Sequence, residues 1–179
     1  LLSTTQMDFL FDNVNLLGNS FLNKIASVLK GNKVCGDFIV IKNSKVRLKL
    51  IKALAYGLLS KNKVAIVKFS SLLQNIKAEF NNKALADIYS IVLNSDILII
   101  DSLGNESITS WSRDEILGTI LQYRMQENLP TFITSNLNIK ELEEHLSITT
   151  SNKLEKVKAV RIIERIKQLT IDIKMIGEN

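Results

Sequence analysis

The sequence has few of the residues that break or staple a chain. One proline and seven glycines are spread over 179 residues, so no linker, repeat or low-complexity stretch stands out. Cys35 is the single cysteine. An internal disulfide and a thiolate zinc cluster are therefore excluded, and a reducing cytoplasm is the expected location. His145 is the single histidine, which argues against a Ser–His–Asp site and against the His-rich zinc sites of hydrolases. No uncharged apolar run reaches the roughly 18 residues that a membrane span needs. The opening LLSTTQMDFLFDN has no basic segment leading into an apolar stretch and a small-residue cleavage site, so no secretory signal is expected. A start on Leu1 rather than Met reads as a piece of a longer protein.

What is present suits a globular domain. The chain is 46% hydrophobic and 23% charged, enough for one compact unit with a sizeable core. The net charge of +5 and a pI near 9.3 favour polyanionic partners, nucleic acid first. A general drift toward Lys, Asn and Ile would account for the same basicity.

The order of elements is more informative. Segment 21–30 reads as an amphipathic helix within a lead-in spanning 1–35. Five strand-length apolar runs follow at 36–42, 64–69, 96–100, 130–135 and 170–176. Helical periodicity fills the gaps at 46–61, 71–80, 84–94, 112–127, 139–146 and 154–169. In the helix over 112–127, Ser112 is a candidate N-cap, with Glu115 three residues on to complete a capping box. Strands that alternate with helices imply parallel crossovers. The expected fold is thus α/β, a five-stranded parallel sheet with helices on both faces (a three-layer αβα sandwich) over 36–179. Ligands in such sheets bind beyond the carboxyl ends of the strands, here just after Lys42, Ile100 and Ser135.

The stretch 97–146 carries the most specific pattern. ILII followed by Asp101 is a Walker B pattern, an acid at a strand end where it can hold Mg²⁺. About thirty residues later a second strand ends in Thr134-Ser135-Asn136. Between them lie Trp111-Ser112-Arg113-Asp114-Glu115, then LGTILQYRM and LPTFITSN. This closely resembles the AAA+ domain of bacterial replicative-helicase loaders of the DnaI type, and more distantly the DnaC and IstB loaders. The resemblance runs from about Lys63 to Ile176. It implies a P-loop NTPase fold, ATP or ADP with Mg²⁺ as ligand, and Asp101, Ser102 and Asn136 at the Walker B and sensor 1 positions. It also implies single-stranded DNA, the replicative DNA helicase and other copies of the chain as partners. Arg161 and Arg165 fall on the helix whose arginines, in the related initiators, reach a neighbouring subunit's nucleotide. In those initiators the helices before Walker B line a DNA channel. Lys68, Ser70, Ser71, Lys77 and Lys83 are then candidate phosphate contacts, and Phe69 and Phe80 could stack bases, with core packing the plainer role for both phenylalanines.

The family's G-x-x-x-x-G-K-[ST] loop falls on Ile41-Lys42-Asn43-Ser44-Lys45-Val46-Arg47-Leu48, and this segment departs from the pattern. No glycine is present to permit positive φ and close backbone approach. Arg47 stands for the lysine and Leu48 for the hydroxyl that ligates Mg²⁺. Ser102 stands for the second acid and cannot serve as a base at neutral pH; Glu106 is the nearest further carboxylate. With three of the four features altered, the expectation is a helicase-loader-like domain with weak or absent ATP hydrolysis. An adaptor scaffold and an active ATPase with an atypical loop are the alternatives. The family's zinc-bearing helicase-binding region, N-terminal to the core, is expected to be missing. Lys42, Lys45, Arg47, Lys49 and Lys52 make the degenerate loop and its helix strongly basic, either to meet an anion or as a solvated face. Arg113 and Arg124 match family positions and could contact nucleotide or a neighbour, Arg113 pairing alternatively with an acid of its own helix. Trp111 is expected to anchor its loop, and His145 to lie at the surface.

Overall fold

The computed structural model describes residues 36–58, 62–78, 83–149 and 155–176. The lead-in over 1–35 with its helix at 21–30, and Phe80, lie outside them. The elements are β1 (Gly36–Ile41), α1 (Ser44–Leu58), β2 (Val64–Lys68), α2 (Phe69–Ala78), α3 (Lys83–Asn94) and β3 (Ile97–Leu103). There follow α4, whose first part Trp111–Leu117 is π-helical and runs into the α-helix Gly118–Gln126, then β4 (Thr131–Ser135), α5 (Ile139–Ser147), α6 (Lys156–Leu169) and β5 (Thr170–Ile176). The strands form one parallel sheet in the order β2-β3-β4-β1-β5.

Alternate strand residues point to opposite faces, and both faces are covered. Phe38, Val40, Leu98, Ile100 and Ile133 pack with Phe69, Leu72, Leu73 and Ile76 of α2, Ile116, Leu117, Ile120 and Leu121 of α4, and Leu142, Ile162, Ile163 and Ile166 of α5 and α6. Ile39, Ile41, Ile97, Ile99 and Phe132 face the other way and are equally buried. Helix α1 brings Leu50, Ile51, Leu54 and Ala55 to its own buried side and touches β1 and β3. Gly36 opens β1 where the neighbouring backbone comes very close: a Cβ there would collide with the carbonyl oxygen of Thr131.

Two local expectations fail. Strand β3 does not stop at Ile100 but runs on to Leu103 through a shift of register against β4 between Ile100 and Leu103. Ser102 sits in that shift at φ +60° and Gly104 follows at +95°. The helix at 112–127 starts at Trp111, so Ser112 lies inside it and is not its cap. Thr109 Oγ1 accepts from the Ser112 amide and Ser112 Oγ accepts from the Thr109 amide, each at 3.0 Å. Glu115 is exposed and plays no part in that exchange. A full capping box is found instead on α5. Asn138 Oδ1 accepts from the amides of Lys140 and Glu141, and Glu141 Oε2 accepts from the Asn138 amide.

Candidate nucleotide site

The carboxyl ends of β1, β3 and β4 meet above the sheet, with β4 between the other two. Only Lys42 and Asn43 separate β1 from α1. Asn43 caps the helix: its Oδ1 accepts from the amides of Lys45 (3.0 Å) and Val46 (3.3 Å), and its carbonyl accepts from the amide of Arg47 (3.0 Å). A phosphate-binding loop would leave such amides open toward an anion. Here a neutral side-chain oxygen occupies them. No residue of 41–48 has a positive φ, as expected where glycine is lacking. The segment therefore closes early into helix, and no cradle forms.

The helix then carries Arg47 inward. Its Nε lies 3.0 Å from Asp101 Oδ1, and the two side chains are only 14% and 11% exposed. The Nε–H makes no hydrogen bond, so the contact is an ion pair whose N–H is not aimed at that oxygen. Thr134, on the strand between, donates from Oγ1 to the same Oδ1 at 2.8 Å and accepts from the Ser102 amide at 3.1 Å. Arg47, Asp101, Thr134 and Ser102 thus form one chain linking α1, β3 and β4.

This set does not fit a magnesium nucleotide bound in the family's manner. The carboxylate that would hold the metal already faces a fixed cation, and a second cation beside it would be repelled. Leu48, in place of the metal-binding hydroxyl, is 52% exposed. Among the described residues no cluster of three His, Cys, Asp or Glu could hold a metal. Ser102 Oγ and Asn136 Oδ1 are buried without hydrogen-bond partners, so the strand ends stay polar, but neither atom supplies charge for hydrolysis. Glu106 is buried, and both its carboxylate oxygens accept from the Gly104 amide at 3.1 Å. Burial pushes its carboxyl above the ordinary value. It braces its own loop.

Several other expected site residues are structural. Arg113 is fully buried. It donates to both Asp114 oxygens, to Glu155 Oε2 and to the Leu146 carbonyl, and Lys158 joins Asp114 and Glu155 at 3.1 Å each. The clamp ties α4 to the start of α6, and the pairing with Asp114, an acid of its own helix, is the reading that holds. Arg124 is also fully buried. It donates to the carbonyls of Val92, Leu93 and Ser95 at the end of α3, to Pro130 O and to Thr131 Oγ1. Burial lowers its guanidinium to about 10, still charged at neutral pH, where it offsets the negative end of α3. Neither arginine can reach a nucleotide or a neighbour. No sequence pattern reveals this arginine staple, because most of its acceptors are backbone carbonyls.

Half-buried Arg165 donates to the Gly118 carbonyl at 3.2 Å, whereas Arg161 is exposed. Phe69 is in the core, and Lys68, Ser71 and Lys77 are exposed with Ser70 half-buried. Lys83 begins α3. Trp111 packs against the core. His145 departs from the surface position expected of it: half-buried, its Nε2 lies 3.0 Å from the Glu106 carbonyl.

No family model matches the chain. The replicative helicase loader DnaI of Bacillus subtilis (strain 168) is 39% identical over 114 residues, which is 64% of this chain and 37% of that protein; the chain thus spans little more than a third of that relative's length. A crystal structure of DnaI superposes with a TM-score of 0.76 at 31% identity, over 96% of this chain and 94% of that one. A crystal structure of the DnaC helicase loader (TM-score 0.69, 18% identity, 98% of this chain and all of that one) and the replication initiator DnaA bound to AMPPCP and single-stranded DNA (0.69, 12%, 96% and 50%) share the fold. With a parallel sheet of this order, an acid near the carboxyl end of β3, an asparagine after β4 and a DnaI structure matched along nearly its whole length, the chain belongs to the DnaI/DnaC-like AAA+ helicase loaders.

Proposed function

We propose that this chain is a helicase-loader domain that works without nucleotide, its ATP site rebuilt as a structural ion pair. It binds single-stranded DNA and the replicative helicase, and associates with copies of itself through the exposed Arg161 side of α6. The observation that carries the reading is the contact of Arg47 with Asp101 at 3.0 Å. One side chain supplies the positive charge that a bound metal and the family's lysine would otherwise bring, and it does so permanently. Hydrolysis needs charge stabilisation at the γ-phosphate and an oriented water. Ser102 replaces the acid, Leu48 the metal-binding hydroxyl, and Asn43 occupies the amides.

DNA contacts are assigned to Lys68, Ser70, Ser71, Lys77 and Lys83, around the end of β2 and the helices after it, where a backbone-tracking strand would meet a basic surface. Calorimetric titration with ATP and ADP, with and without Mg²⁺, tests the first half of the proposal: no saturable heat is expected. Saturable binding together with turnover that Asp101→Ala abolishes would overturn it. Anisotropy titration with labelled single-stranded DNA tests the second half. Binding that weakens as salt rises is expected, and no binding at low salt would leave only an adaptor role.

A further inference from the structure

We infer that the outward face of α1 binds the phosphate backbone of a nucleic-acid strand, a contact surface separate from the one assigned around β2. The inference rests on the DNA-binding reading above and moves its strongest charge contacts to the helix that follows the degenerate loop.

Helix α1 has no acidic residue in its fifteen positions. Leu50, Ile51, Leu54 and Ala55 turn inward and Arg47 is engaged by Asp101. Lys45, Leu48, Lys49 and Lys52 occupy positions i, i+3, i+4 and i+7, one stripe on the opposite side, and all four are exposed. At 1.5 Å of rise per residue, the three ammonium groups are anchored about 6 and 4.5 Å apart along the axis. Among the described residues none of the three forms an ion pair. Two of the three lysines of α6 behave otherwise: Lys158 is held by Asp114 and Glu155, and Lys167 by Glu164.

Like charges one turn apart repel, and Lys45 in the first turn opposes the helix dipole. The stripe therefore lowers the stability of α1 with no internal compensation, and a line of anions would relieve it. The residue types choose among anions. Lysine is a point charge suited to phosphate, whereas carboxylates are matched by the planar fork of arginine. A row of evenly stepped charges fits a repeating anion better than a single one. Lys45, Leu48, Lys49 and Lys52 offer no side-chain amide or ring to read a base edge, so the contact positions a strand without reading its sequence.

The test is a salt-dependent anisotropy titration of the full chain with a labelled oligothymidylate, comparing wild type with Lys45→Gln/Lys49→Gln/Lys52→Gln. A second triple variant, Lys140→Gln/Lys156→Gln/Lys167→Gln, removes the same charge elsewhere. Loss of three phosphate contacts should weaken binding about tenfold or more and flatten the slope of log K against log salt by about 2, at roughly 0.7 per contact on a single strand. The comparison variant should bind like wild type, and circular dichroism should be unchanged in both because the substituted side chains are exposed. Equal loss in both variants would overturn the inference by reducing it to net charge. Wild-type affinity in the α1 variant, with loss on Lys68→Gln/Lys77→Gln/Lys83→Gln instead, would overturn it while leaving the DNA-binding reading intact. No wild-type binding at low salt would overturn both.

Discussion

At the residue scale, Arg47 and Arg124 are both held by partners within the molecule, and their replacement should report on stability. Breaking the Arg47–Asp101 pair leaves one buried charge uncompensated. Arg47→Ala and Asp101→Ala should each cost about 2–4 kcal/mol, toward the lower part of the range for fully buried pairs because a little solvent reaches this one. The double variant should cost clearly less than the sum, by about 1 kcal/mol or more. Urea unfolding of the four proteins measures this, and strict additivity would show that the contact contributes nothing. Arg124 is a different case, since its acceptors are carbonyls at the end of α3 and the start of β4. Arg124→Met should lose about 3–5 kcal/mol because it strands several buried acceptors at once. A loss below about 1 kcal/mol would mean that water replaces the guanidinium. The sequence marks Arg47 as a departure from the family's loop and leaves Arg124 as a residue that could contact nucleotide or a neighbour. A buried arginine that serves backbone acceptors has the same sequence signature as one that serves a phosphate.

At the element scale, the helix boundaries follow capping chemistry that is partly visible in the sequence. The S-x-x-E pattern at Ser112 and Glu115 and the N-x-x-E pattern at Asn138 and Glu141 look alike on paper. Only the second becomes a box, because α4 already begins at Trp111 and Ser112 bonds back to Thr109 instead of to Glu115. Asn138→Ala should cost about 1 kcal/mol, and Glu115→Ala should be nearly silent in the same denaturation assay. The clamp between α4 and α6 is pH-dependent. Hydrogen bonds from Arg113 first, then Lys158 and Ser110, hold the Glu155 carboxyl down from 4.5 to about 2. Asp114 is lowered too, chiefly by Arg113. A folded value below the unfolded one means the stabilisation is complete above 4.5 and fades as pH falls toward 2. The difference in Tm between wild type and Glu155→Gln should therefore be constant at neutral pH and close in that acid window. A difference that does not change with pH would show that the carboxylate's charge is irrelevant.

At the scale of the whole molecule, the sheet keeps the order that brings three strand ends together while the residues placed there no longer suit a metal-bound nucleotide. A ligand that binds only the folded state at a thousand times its Kd raises stability by about 4 kcal/mol. Saturating ATP with Mg²⁺ should leave the Tm of this chain unmoved. A clear upward shift would contradict the rebuilt site, and Asp101→Asn would then show whether the shift passes through β3.

The parallel α/β architecture and the position of the site could be read from the sequence alone, since both depend on local periodicity: buried strands are continuous apolar runs, and helices of 3.6-residue period lie between them. The missing glycines and the replacements at Arg47, Leu48 and Ser102 were legible for the same reason, being single positions in a fixed spacing. Tertiary structure decided what those replacements do. That Asn43 turns its side chain onto the amides of Lys45 and Val46 is a local choice made by the folded turn, whereas the reach of Arg47 to Asp101 and the inward turn of Arg113 and Arg124 depend on groups 30 or more residues apart meeting in space. No local pattern encodes those meetings, because a charged side chain is drawn to whichever partner the packed sheet leaves unsatisfied.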